Sequence, residues 1–173
     1  MEITDRADKQ AAPPHHTDNQ APPRPTDPDV DLHVPAQRRE LSRHPVAILS
    51  AIAAGGAIGA LARFGISAAV PHPPGGMDWA TFWINVTGSF LLGALMVVIT
   101  ELTTPHHLVR PFLGVGVLGG YTTFSTAMVD VQRMIAAGAA GTGLAYLAGT
   151  ALAALAAAYL GAAVTRRVAR VAR

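Results

Sequence analysis

The sequence predicts an all-α membrane protein built on four transmembrane helices, the third of them broken. Three observations lead there. Half of the 173 residues are apolar and only 14% are charged, about half the ~25% usual in soluble proteins. Eight of the 11 acidic residues fall within the first 40 positions, and the chain beyond them is nearly free of charge until an arginine-rich end. Between those limits lie four apolar stretches, each near the ~20 residues that cross a hydrocarbon core of ~30 Å. The net charge of +2 is too small to argue for nucleic acid, and the basic residues flank apolar spans instead of forming a groove. The absence of cysteine excludes disulfides, thiolate catalysis and cysteine metal sites. All seven histidines lie outside the apolar spans, which argues against an intramembrane histidine metal site. No nucleophile–base pair or metal-ligand cluster suggests an enzyme.

The chain divides into a tail (1–44), a four-helix membrane domain (45–165) and a basic C-terminal tail (166–173). The first segment holds seven prolines, many Asp and His, and almost no large apolar residues. Such a composition cannot bury a core and predicts disorder. It lacks the early apolar region of a signal peptide, and His15–His16 is too short a tract to argue metal binding.

The first span runs from about Val46 to Val70. Gly55 and Gly59 are four apart, and Arg63 follows at the next such position. Glycines let another helix approach closely. Arg63 either snorkels to the interface or faces a vestibule that draws in anions. The loop Pro71–Asp78 (PHPPGGMD) is a turn without Lys or Arg. The second span, about Trp79 to Thr100, opens with two aromatics at interfacial positions, Trp79 and Trp83. Thr81, Asn85 and Ser89 then recur every four residues and share one face. Asn85 is open to two readings: an interhelical hydrogen bond that only holds helices together, or an amide whose NH₂ donates to an anion. The hydroxyls one turn above and below favour a pathway.

After a proline-bracketed loop, Glu101–Pro111, the third span runs from about Phe112 to Ala136. Its centre, GVGVLGGYTTFSTAMVD (Gly114–Asp130), is a poor helix: Gly119 and Gly120 lower propensity, and Thr122, Thr123, Ser125 and Thr126 surround Phe124. An unpaired backbone group costs several kcal/mol in hydrocarbon, so a break is tolerated only inside protein or beside a wet cavity. The plainer alternative is a Gly/Thr helix contact; the sharper one is a broken helix that builds a mid-membrane ion site. Asp130 and Arg133, three apart on the last turns, are placed to pair. Past a small-residue turn at Gly138–Gly143, the fourth span runs from about Leu144 to Val164, with a small face at Gly149, Ala153, Ala157 and Gly161. Tyr146 and Thr150 lie on a neighbouring face.

Taken together, the spans offer amide and hydroxyl groups but no Asp or Glu at any span centre. A proton-coupled cation exporter usually needs such a carboxylate. Amide donors, hydroxyls and the electropositive edge of Phe124 suit a small, strongly hydrated anion instead. About 120 membrane residues are few for enclosing a pore, which points to an oligomer, most simply a dimer.

The motifs GGAIGALARF (Gly55–Phe64), NVTGSFLLG (Asn85–Gly93) and GGYTTFST (Gly119–Thr126) resemble those of the CrcB/Fluc fluoride channels, over about Ile48–Val164. The resemblance implies passive fluoride export through an antiparallel dimer, either a homodimer or a heterodimer with an oppositely oriented paralogue. It also implies a central Na⁺ held by the backbone carbonyls of Gly119 and Thr122. The family's pore Asn matches Asn85, its vestibule Arg matches Arg63, and its first pore Phe matches Phe124. Its span-four Tyr and hydroxyl track match Tyr146 and Thr150. Thr81, Ser89 and Ser125 complete the candidate fluoride pathway. Two departures stand out. The family's second Phe is replaced by Ala127, and the hydroxyl track ends at Ala154.

Charge placement bears on the partner. Arg38, Arg39, Arg43, Arg110 and the four C-terminal arginines all fall on one side of a four-span topology, and the other side's loops carry no Lys or Arg. The positive-inside rule then puts both termini in the cytoplasm, with the chain in the inner or plasma membrane. So strong a bias, with the missing ring at Ala127, favours the heterodimer. Two rivals are weighed: a small four-span multidrug exporter, whose span-one carboxylate is missing here, and a non-transporting membrane scaffold.

Overall fold

The computed structural model describes residues 45–73 and 76–171. Segment 1–44, with its reading as a tail and the His15–His16 pair, lies outside the described residues. Every regular element among the described residues is helical. Helix α1 spans Pro45–Ala69 and α2 spans Trp79–Val97, continued by a π-helical turn, Val98–Leu102. Helix α3 is π-wound over Arg110–Leu118 and closes with one α turn, Gly119–Tyr121. Helix α4 covers Ser125–Ala136 and α5 covers Ala140–Val171. Four segments are long and apolar enough to cross a membrane: Pro45–Ala69, Trp79–Leu102, Arg110–Ala136 and Ala140–Val171. The chain is a multi-pass membrane protein, and its third span is broken as expected.

Local chemistry sets the helix ends. The Asp78 carboxylate caps α2, accepting from the Thr81 amide at 3.0 Å. Pro111 sits in the first turn of α3, where a missing N–H costs nothing. Gly138 ends α4 at φ +81, a conformation that favours glycine. Helix α5 departs from expectation at both ends. It takes in the glycines before Leu144, and it runs on through Arg166, Arg167 and Arg170, so residues 166–171 are helical. Neither Gly nor Pro follows Gly161 to stop it. At ~1.5 Å per residue a helix of this length outruns the hydrocarbon core. Its overhang is tied to the end of the second span, where Arg166 Nη2 donates to Glu101 Oε1 at 2.7 Å and Nε to Oε2 at 3.0 Å.

Glycines set how closely the helices pack. Helix α1 lies on α3 through the glycines of both motifs. A Cβ on Gly55 or Gly59 would fall inside the carbonyl oxygens of Phe112 and Val117, and one on Gly120 would meet Gly56. Helix α2 lies on α5 in the same way, Gly93 against Ala158 and Gly161 against Phe90. Only half of the predicted small face of α5 is used: Ala157 and Gly161 are buried, while Gly149 is open, with nothing within 4 Å of an added Cβ. No more than 28% of any span's most apolar window is buried within the chain. The remaining surface is left for lipid or for another subunit.

Candidate ion pathway

The break in the third span is made by backbone and held by side chains. Thr122 turns extended (φ −75, ψ 157), and the helix restarts at Ser125. The Thr123 hydroxyl receives the Thr126 amide at 3.2 Å and so caps α4. From the facing helix, the Asn85 carboxamide takes the place of a peptide group. Its Oδ1 accepts from Thr123 N–H and its Nδ2 donates to Thr123 C=O, both at 2.8 Å. Only one orientation of the amide satisfies both bonds. The two readings of Asn85 therefore merge. It joins the helices, and one N–H of its NH₂ stays uncommitted.

These substitutions free particular carbonyls. In an unbroken helix Gly119 C=O would accept from Thr123 N–H, which goes to Asn85 instead. Thr122 C=O would accept from Thr126 N–H, which goes to the Thr123 hydroxyl. The next carbonyl, Gly120, is taken by Arg63 Nε at 3.2 Å. Arg63 thus neither snorkels freely nor stands alone; it is anchored at the break.

Beside the break lies an open groove of about 390 Å³. Asn85 and Ser89 line it from α2, Gly119, Thr122 and Phe124 from the break, Ala127 from α4, and Thr150 and Ala154 from α5. The Thr150 hydroxyl is buried and makes no hydrogen bond within normal geometry, with the Tyr146 hydroxyl as a polar neighbour. Phe124 stands on the rim, 72% exposed. Ser125 is exposed beside it and meets the Thr123 hydroxyl at 3.3 Å. Ala127 is buried and belongs also to the apolar cluster of Val131, Met134 and Tyr146.

Four candidate pathway residues, Arg63, Ser125, Thr81 and Tyr146, do not line the groove. Thr81 and Tyr146, together with Asp130, each sit one helical turn beyond a lining residue (Asn85, Thr150 and Ala127), towards the 71–78 loop. They form the next layer towards that end of the bundle. The Tyr146 hydroxyl donates to Asp78 C=O at 3.0 Å, and the Thr81 hydroxyl donates to the Asp78 carboxylate. Asp130 does pair with Arg133 at 3.3 Å, but not on the surface: it is buried, with His72 Nε2 at 3.8 Å. Sequence reasoning missed this layer because its hub, Asp78, looks like a loop residue.

Residues 50–162 match the family model described as CrcB-like protein, Camphor Resistance (CrcB). The chain belongs to the CrcB-like family. It is 52% identical to the fluoride-specific ion channel FluC 2 of Nocardia farcinica, over 73% of this chain and 91% of that protein. It is 47% identical to the protein of the same name from Streptomyces avermitilis, over 70% of this chain and 77% of that one. Against the fluoride-specific ion channel FluC 1 of Streptomyces coelicolor it is 48% identical, over 79% of this chain and 89% of that protein. Streptomyces avermitilis also carries a relative numbered FluC 3, 44% identical over 56% of this chain.

Proposed function

We propose that this chain is a subunit of a fluoride-specific channel that lets cytoplasmic fluoride leave the cell passively and so lowers its toxicity. The observation that carries the reading is the groove at the break. Asn85, with an uncommitted amide N–H, Ser89 and the Phe124 ring line it together with Thr150. Donors and ring edges replace the hydration shell of a small anion, and no carboxylate lines the groove itself. Neutral HF enters cells and loses its proton in the cytoplasm. A membrane potential worth ~2.3 kcal/mol per charge per 100 mV then drives the anion out through a passive pore. The names of the relatives support fluoride as the anion.

A single chain leaves the groove open and Phe124 exposed, so the working unit is a dimer, antiparallel as the family resemblance implies. The freed carbonyls of Gly119 and Thr122 suit a hard cation shared between two such subunits, and Na⁺ is the ion proposed. Gly119 and Thr122 both line the open groove. Arg110 and the arginines of the α5 overhang lie at one end of the spans, which supports cytoplasmic termini and a single orientation. A single orientation calls for a heterodimer with an oppositely oriented paralogue, and the numbered relatives of Streptomyces avermitilis are consistent with paired genes. Liposomes loaded with fluoride and monitored with a fluoride electrode test the function. Valinomycin-triggered efflux is expected, while chloride is retained. No fluoride efflux, with or without a paralogue, would refute it.

A further inference from the structure

Beyond the anion pathway, the layer beside the groove holds a cluster to which the channel reading gives no role. His72 sits between two buried carboxylates. Its Nδ1 lies 3.6 Å from Asp78 Oδ1 and its Nε2 lies 3.8 Å from Asp130 Oδ1. Asp78 and Asp130 are only 3% and 2% exposed. One donor atom from each of the three residues can be chosen so that all lie within 4.8 Å of one another. The second observation is Asp130 Oδ2, which is buried without any hydrogen-bond partner. A buried carboxylate oxygen normally finds a donor or a metal. The other charged neighbour is Arg133, which reaches only Oδ1 and whose side chain is largely exposed. Asp78 is better satisfied, by the Thr81 amide and hydroxyl.

We propose that His72, Asp78 and Asp130 bind a divalent transition-metal cation of the zinc class at the end of the bundle opposite the arginine-rich overhang. The donor set decides the class. An imidazole nitrogen with two carboxylates suits zinc and its neighbours, whereas calcium and magnesium take oxygen ligands. Three protein ligands leave a fourth position for water. Bonds of ~2.0–2.1 Å in tetrahedral geometry set donors about 3.3 Å apart; with one donor atom from each residue the three lie within 4.8 Å of one another, so the site has to close on the ion. His72 is the residue that adjusts. It lies on the loop, and its side chain is 26% exposed, while the two carboxylates are fixed on or beside helices. The ion would pin the 71–78 loop to α4 and reverse the sign of the charge next to the groove, from two carboxylates and one guanidinium to a net positive cluster.

The test is a zinc titration of the full-length chain in detergent by calorimetry, after chelation and dialysis, repeated with Co²⁺ to read its visible absorption. His72→Ala is the main variant, because a partly exposed loop residue can be removed without disturbing the helices; Asp130→Asn is the second, and keeps the side-chain volume. His106→Ala with His107→Ala controls for binding elsewhere. The wild-type chain is expected to bind one more equivalent than His72→Ala or Asp130→Asn, and the control to keep that equivalent. The Co²⁺ spectrum should show a tetrahedral band that both ligand variants lose. Equal stoichiometry and affinity in wild type and His72→Ala would overturn the proposal. Because the readout is binding, its failure would leave the fluoride reading intact, and absent fluoride efflux would leave the metal result standing.

Discussion

Replacing Asn85 by alanine removes the one side chain that substitutes for a peptide unit at the break. Two groups are orphaned together, the N–H and C=O of Thr123, each now paired at 2.8 Å. Interhelical hydrogen bonds in membrane proteins average ~0.6 kcal/mol and reach ~1.7 kcal/mol, so the pair contributes about 1–3 kcal/mol. At ~1.4 kcal/mol per tenfold, the broken geometry loses about 5- to 150-fold in population against a re-formed helix in which Thr123 N–H returns to Gly119 C=O. That return would also withdraw a carbonyl from the proposed sodium site. Fluoride efflux from liposomes holding this chain with its paralogue is therefore expected to fall at least about 5-fold, and the melting temperature in detergent to fall with it. Asn85→Asp should also fail, because it keeps the acceptor for Thr123 N–H while turning an oxygen towards Thr123 C=O. Efflux at the wild-type rate in Asn85→Ala, with an unchanged melting temperature, would refute the reasoning.

The same geometry sets other outcomes. Phe124→Ala should stop efflux yet leave a monodisperse, stable protein, because the ring is 72% exposed and packs little within its own chain; paired efflux and melting measurements check both halves. Gly59→Ala places a methyl on the Val117 carbonyl and should cost at least the ~1–3 kcal/mol typical of overpacking, read as loss of the monodisperse peak in size-exclusion chromatography. Ala127→Phe should also destabilise by about 1–3 kcal/mol, since the position is buried against Val131 and Tyr146, so the missing ring is not restored by simple substitution. Exchanging Na⁺ for a bulky organic cation throughout purification should shift cross-linked dimer towards single chains; an unchanged dimer fraction would remove sodium from the interface. The chain has no native cysteine, so Thr104→Cys and Gly141→Cys, placed at opposite ends of the bundle, can report topology by impermeant labelling. Each should label from one side only, and mixed labelling would contradict the single-orientation heterodimer.

How far the sequence could be read depended on whether the signal was local. The four spans were legible because a bilayer allows few alternatives to an apolar helix. The break was legible because Gly119, Gly120 and a run of hydroxyls contradict a plain helix. Asn85 was singled out by its neighbours on the face, but its partner lies 38 residues away across the bundle and no spacing rule reveals it. Thr81 entered the candidate pathway by periodicity and Tyr146 by the family resemblance. Their hydroxyls bond to Asp78, a residue whose importance depends on where the loop folds. The overhang of α5 was missed for another reason: a run of arginines ends an apolar span but does not end a helix.

The most direct test of the central claim is fluoride efflux from liposomes containing this chain together with a paralogue from the same genome, compared with either protein alone. The account predicts fluoride-selective efflux from the pair, lost with Phe124→Ala in this chain, and little from this chain by itself. Rapid efflux from this chain alone would contradict the heterodimer while preserving the channel. Absence of fluoride-selective efflux from every combination would contradict the channel itself.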